Sequence, residues 1–145
     1  MPTPLKIRYL VSSLLVAGLA ACATATEPVS GVEAVDVPYS RILDAKYLKP
    51  TSTSGEISIR RDRGFAGAAC STRIFLNGMP LADIETAQKI VIYLPPGEYL
   101  IGARPNGICG GGLTEARASV STGARLAFRF GTSGNGSPSI YPTTP

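Results

Sequence analysis

Two tight-turn signatures, Asn77-Gly78 and Pro95-Pro96-Gly97, divide the middle of this chain into apolar runs too short for globular helices. Asn-Gly accepts positive φ at both positions, so it predicts a two-residue hairpin between strands over 71–76 and 81–84. Upstream, Glu56-Ile57-Ser58-Ile59-Arg60 alternates polar and apolar residues, the pattern of a strand with one face on a core. Lys89-Ile90-Val91-Ile92-Tyr93-Leu94 is apolar on both faces, as expected of a central strand covered on each side. Pro95 and Pro96 fix φ, and Gly97 is expected to supply a conformation that other residues resist, returning the chain along 99–104. Two more strands are expected over 114–120 and 124–130; in the second, Leu126, Phe128 and Phe130 point one way and Arg125 and Arg129 the other. No long amphipathic helix interrupts this rhythm. The predicted fold is all-β, a small antiparallel β-sandwich of about seven strands over residues 55–131.

The N-terminus has a different order: Lys6 and Arg8, an apolar stretch from Leu10, then Leu19-Ala20-Ala21-Cys22. A basic region, a short apolar region and small residues at a cut site make a signal segment. The apolar stretch falls short of the roughly 20 residues needed to span a bilayer. The cysteine placed directly after Leu-Ala-Ala resembles the lipobox of bacterial lipoproteins. That resemblance implies removal of residues 1–21, a diacylglyceryl thioether and an amide-linked acyl chain on Cys22, and Cys22 as the mature N-terminus. Two acyl attachments anchor durably where one gives only marginal binding. Ala23 stands where Asp is the familiar inner-membrane retention signal, so the resemblance implies the outer membrane, facing the periplasm. Residues 22–54 have no sustained helix or strand period and are expected to be a tether with some adherent structure, the two alternatives within it being a single capped helical turn over Ser40 to Asp44 and an edge strand over Val35 to Tyr39. At full flexibility that tether would lift the domain roughly 30 Å from the headgroups. Beyond Gly131, the Gly, Ser, Pro and Thr content predicts a disordered tail over 132–145.

The chain carries 14 basic and 10 acidic side chains; Lys6 and Arg8 belong to the signal segment, which leaves 12 against 10. The basic residues are scattered, so the charge is not a nucleic-acid footprint. The one tight group, Arg60, Arg61 and Arg63, is expected to be a solvated strand end, the sharper alternative being contact with anionic lipid headgroups. With Cys22 committed to lipid, Cys70 and Cys109 form an even pair in an exported chain, and a disulfide between them is expected. No His is present, so Ser-His and Cys-His nucleophile pairs are excluded and the common zinc sets are absent. Gly110-Gly111-Gly112 lacks the Gly-Lys-Ser/Thr of a phosphate loop. The one carboxylate pair with catalytic spacing is Asp83 and Glu85, which have polar neighbours in an expected turn. No catalytic residue, cofactor or metal is expected.

Phe65-Ala66-Gly67, then Arg73-Ile74-Phe75-Leu76-Asn77-Gly78, then Leu94-Pro95-Pro96-Gly97-Glu98-Tyr99-Leu100 resembles a family of bacterial envelope lipoproteins with a small β-sandwich, and the strand and turn order is similar to PEGA-type domains. The resemblance covers about a third of the chain and its motifs are turn chemistry, so it bears on fold before function. With base, nucleophile and metal-ligand chemistry absent or solvated, the expected function is a lipid-anchored binding or structural module that meets another envelope protein through a sheet edge or a loop. The alternative is an inhibitor or immunity-type lipoprotein that blocks a periplasmic enzyme with the loop over 109–112.

Overall fold

The structure, a computed structural model, describes residues 26–64, 67–133 and 135–145. The expected signal segment and Cys22 lie outside the described residues. Nine strands follow in chain order: β1 (Val35–Asp36), β2 (Gly55–Arg61), β3 (Thr72–Leu76), β4 (Met79–Ile84), β5 (Gln88–Leu94), β6 (Gly97–Pro105), β7 (Thr114–Val120), β8 (Arg125–Thr132) and β9 (Pro138–Thr143). They form a five-stranded sheet ordered β1-β5-β2-β8-β9 and a four-stranded sheet ordered β4-β3-β6-β7. The domain is therefore all-β and sandwich-like. Its strand count exceeds the expected seven, and its pairing is mixed, because β1 joins β5 and β2 joins β8 in parallel. β2 and β8 pair after the whole four-stranded sheet has intervened in sequence, a register that alternation within either strand does not encode.

Alternation decides which side chains meet between the sheets. Ile57 and Ile59 of β2, Ile90, Ile92 and Leu94 of β5, and Phe128 and Phe130 of β8 are buried from one side. Ile74, Leu76, Leu81, Ile84 and Ile101 are buried from the other. Ala82, Ala103 and Ala118 interleave with these branched side chains, and small residues against large ones are what close packing across two sheets needs.

The turns are partly as expected. Asn77 and Gly78 both have positive φ, 48° and 78°, and close the β3–β4 hairpin. Gly97 does not take a left-handed conformation. It starts β6 opposite Val120, and the Tyr99 ring packs over it while the Tyr99 hydroxyl donates to the Pro95 carbonyl at 2.8 Å. The strained position is Ala87, at φ 59° between β4 and β5.

Two segments expected to be loose are built into the domain. Residues 26–54 lie across the sandwich instead of forming a free tether: Val29, Ala34 and Val37 are buried, and a 3-10 turn at Tyr39–Arg41 leads into a bridge between Ile42 and Ala82. Single hydrogen bonds to neighbouring strands replace a periodic pattern, so no period was visible. The expected tail contains β9, which pairs antiparallel with β8 from Ala127 to Thr132. Its composition offers one buried apolar side chain, Ile140, but the backbone of β8 needs a partner and β9 supplies it.

Candidate functional site

The charged residues next to β2 are the least expected feature. Arg60 and Arg61 are buried and Arg63 is exposed, so the solvated strand end applies to Arg63 alone. Arg61 points inward at the end of the core, where its guanidinium donates to the carbonyls of Cys70 and, at 2.6 Å, Gly67. Burial without a carboxylate hydrogen-bonded to it holds its pKa below the ordinary arginine value. It ties the loop before β3 to the end of β2. Arg60 points outward and donates to Thr143 Oγ1 at 3.3 Å and the Thr144 carbonyl at 3.0 Å, fastening the C-terminal segment.

Asp62, 2% exposed, accepts from Arg129 Nη1 at 2.6 Å and from Thr26 Oγ1 at 3.3 Å. Burial pushes its carboxyl up, against the opposing pull of Arg129 and the Thr26 hydroxyl. Thr26 is fixed further by two backbone-directed bonds: its N–H donates to the Thr132 carbonyl at 2.9 Å, and Thr132 N–H donates to its hydroxyl at 2.8 Å. Glu27 and Arg63 exchange backbone bonds at 2.6 and 2.8 Å. The chain is thus locked to the strand ends from its first described residue.

Cys70 and Cys109 are disulfide-bonded, with Cα atoms 6.1 Å apart. The bridge holds the 3-10 turn at Gly107–Cys109 against the start of β3, at the same end of the sandwich as Thr26. Gly110 and Gly111, at φ 59° and 118°, let the loop fold back without a Cβ penalty. A cavity of ≈ 240 Å³ lies behind it, with Thr26, Asp62, Thr72, Cys109 and Gly111 in its wall. Ile108 at the loop tip is 99% exposed and Leu113 is 47% exposed.

The carboxylate pair does not assemble. Asp83, in β4, receives a bidentate fork from Arg73, with Nε at 2.9 Å and Nη2 at 2.8 Å, and a third bond from Asn106 Nδ2 at 2.8 Å. The Arg73 hydrogen bond is the main cause that holds its carboxyl below the usual range. Glu85 instead pairs with Arg41. Each acid is thus engaged in its own ion pair, with Arg41 also pulling on Asp83.

The outer face of the five-stranded sheet carries an open depression of ≈ 640 Å³ that includes Glu56, Lys89, Tyr93 and Arg125. Three of its charged side chains are engaged: Arg125 with Glu56 at 3.2 Å, and Lys89 Nζ with the Gly31 carbonyl at 2.7 Å.

The sheet edges differ sharply. On β5, outward backbone groups are taken by Val37, whose N–H donates to Lys89, and by Tyr47, which accepts from Tyr93 N–H. On β4, the Leu81 carbonyl accepts from Leu43 and Asp44. On β9, the pairing register places Pro138, Ile140 and Pro142 outward, so two of the three outward positions have no N–H to offer. On β7, β9 of the facing sheet lies alongside, but among the described residues no backbone hydrogen bond is made to the outer side of the strand. Leu100 exchanges bonds with Asn77 next to β3, so alternate β6 residues Tyr99, Ile101 and Ala103 face β7 and pair with Ala118, Ala116 and Thr114. The N–H and carbonyl groups of Glu115, Arg117 and Ser119 therefore point away from the sheet, and all three side chains are exposed. Sequence reading identified this strand but not its place at an edge, which depends on strand order.

No protein-family model matches the chain, and no curated protein matches it in sequence.

Proposed function

We propose that this chain is an exported, lipid-anchored protein-binding module, acylated at Cys22 and held at the periplasmic face of the outer membrane. It takes up an extended segment of another envelope protein by strand addition along β7. The observation that carries the binding mode is the contrast among the edges: three are covered or blocked by proline, and β7 is left with outward donors and acceptors. In β-augmentation, backbone bonds supply affinity and alternate side chains supply specificity. The outward face of β7 offers Glu115 and Arg117, charges that deter indiscriminate edge pairing and favour a strand of complementary charge. The anchor is supported by the order of Lys6, Arg8, the apolar stretch and Cys22, and the disulfide is the chemistry of an oxidising compartment.

The test is Arg117→Pro. Arg117 N–H faces away from the β6–β7 ladder, so its loss leaves that ladder intact and removes the central donor for an added strand. Crosslinking in the native envelope followed by mass spectrometry should recover a protein partner from the parent and lose it from the variant, with an unchanged circular dichroism spectrum. A partner retained at parental yield refutes β7 as the contact.

A further inference from the structure

The pinned N-terminal segment has a geometric consequence for where the sandwich sits. Thr26 is already bonded to Thr132 and Asp62, and Glu27 to Arg63. Three residues lie between Cys22 and Thr26, and the four Cα-to-Cα steps reach about 14 Å at full extension. A lipid-bearing Cys22 therefore cannot hold the domain roughly 30 Å away; it draws the Thr26 end of the sandwich to the headgroup layer. That end also carries the disulfide loop, since Cys109 and Gly111 share a cavity wall with Thr26.

From these observations we infer that the loop over 107–113 is a second membrane contact, with Ile108 as the inserted side chain. This rests on acylation of Cys22. The occupant is set by reach: the surface within about 14 Å of an acylated residue is the lipid interface itself. The loop chemistry fits it. Residues 105–113 contain no charged side chain, Ile108 is 99% exposed and Leu113 is 47% exposed. The neighbouring stretch 63–70 contains no acid and contributes exposed Arg63, a cation suited to anionic headgroups. The disulfide ties Cys109, next to Ile108, to Cys70, which Arg61 holds in turn through its carbonyl, so the insertion point is anchored and its ordering cost is reduced. It also argues against the same loop plugging a periplasmic enzyme, because the loop then lies against the bilayer.

The chain has no Trp, which makes a single-indole reporter available. Ile108→Trp and, at the opposite end, Met79→Trp, itself 68% exposed, are prepared as full-length protein processed in cells. Acylation is checked by intact mass, and each protein is reconstituted into phosphatidylethanolamine and phosphatidylglycerol vesicles. The indole at position 108 should shift its emission to the blue and lose intensity with brominated lipids, while the indole at 79 does neither. Equal quenching of the two in acylated protein overturns the loop contact and leaves the anchor standing. A protein without acyl mass overturns the anchor reading and the loop contact with it. A blue shift at position 108 in native envelopes but not in pure lipid transfers the loop to a protein partner.

Discussion

Removing the Cys70–Cys109 bridge is the perturbation whose size follows most directly from the structure. The two residues are 39 apart in sequence and enclose β3, β4, β5 and β6. Closing a loop of about 40 residues in the unfolded chain corresponds to about 13 cal/mol/K, or about 4 kcal/mol at 25 °C. The native contribution is small by comparison, because the same segments are already joined next to the bridge. Thr72 pairs with Pro105, Asn106 N–H donates to the Ser71 carbonyl at 2.8 Å, and Arg61 holds Cys70 independently. The bridge therefore acts mainly by restricting the unfolded state.

The double variant Cys70→Ser, Cys109→Ser should keep the far-ultraviolet spectrum of the parent. It should lose about 4 kcal/mol in urea unfolding, a midpoint shift of about 2 M at an m-value near 2 kcal/mol/M. In thermal unfolding the same loss is about 15 °C, from roughly 2.1 cal/mol/K per residue over a domain of about 120 residues. A larger m-value in the variant would accompany it, since the freed chain exposes more surface. A loss below about 1 kcal/mol with a native-like spectrum would refute the entropic argument. A lost native spectrum would show that the bridge is needed to hold the sheets together, against the ladder contacts named above.

Acid titration should separate half-buried Asp83 and buried Asp62 by sign. Asp83 is held low by Arg73, so its contribution is present above about pH 4 and disappears as pH falls through the depressed value; the advantage of the parent over Asp83→Asn, about 1 kcal/mol at neutral pH, should vanish in acid. Asp62 is pushed up by burial, so the stability of the parent relative to Asp62→Asn should fall as pH rises through that raised value, and urea midpoints across the acid range read both. Gly131→Ala should cost about 1–3 kcal/mol, because a Cβ there would stand 2.2 Å from Asp62 Oδ2 and 2.7 Å from Thr26 Oγ1; hydrogen exchange at Thr26 and Glu27 should quicken with it, and unchanged protection there would show that the N-terminal pin does not depend on this packing.

What could be read from the chain was whatever local chemistry controls. The Asn77-Gly78 hairpin, the alternating core faces of β2 and β8, and the pairing of Cys70 with Cys109 each depend on a short pattern or on parity of count. What was missed depends on tertiary partners. Val29 and Val37 are buried by a segment with no period, because isolated bonds to strand edges leave no repeat to detect. β9 was obscured by Pro138 and Pro142, which look like strand breakers but sit where their missing N–H faces outward. Arg61 looked like a surface cation, and only the fold shows that backbone carbonyls surround it. At the candidate site, the bridge was legible and the open edge was not, since an edge is a property of strand order.

The anchor and the edge constrain each other. β7 begins at Thr114, immediately after the loop at the Thr26 end, and ends at Val120. Over seven residues it spans about 23 Å. If the loop meets the bilayer as inferred, the outward groups of Glu115, Arg117 and Ser119 would lie at increasing distance from the headgroup layer along β7. A strand added there would then lead away from the membrane, within about 25 Å of the surface. That geometry suits a partner segment that leaves the membrane or crosses the layer next to it, and it disfavours a freely diffusing globular enzyme, which would have to meet an edge partly shielded by lipid. On the proposed acylation of Cys22, the short reach to Thr26 would do more than fix the protein in place: it would select which face of the open strand a partner approaches.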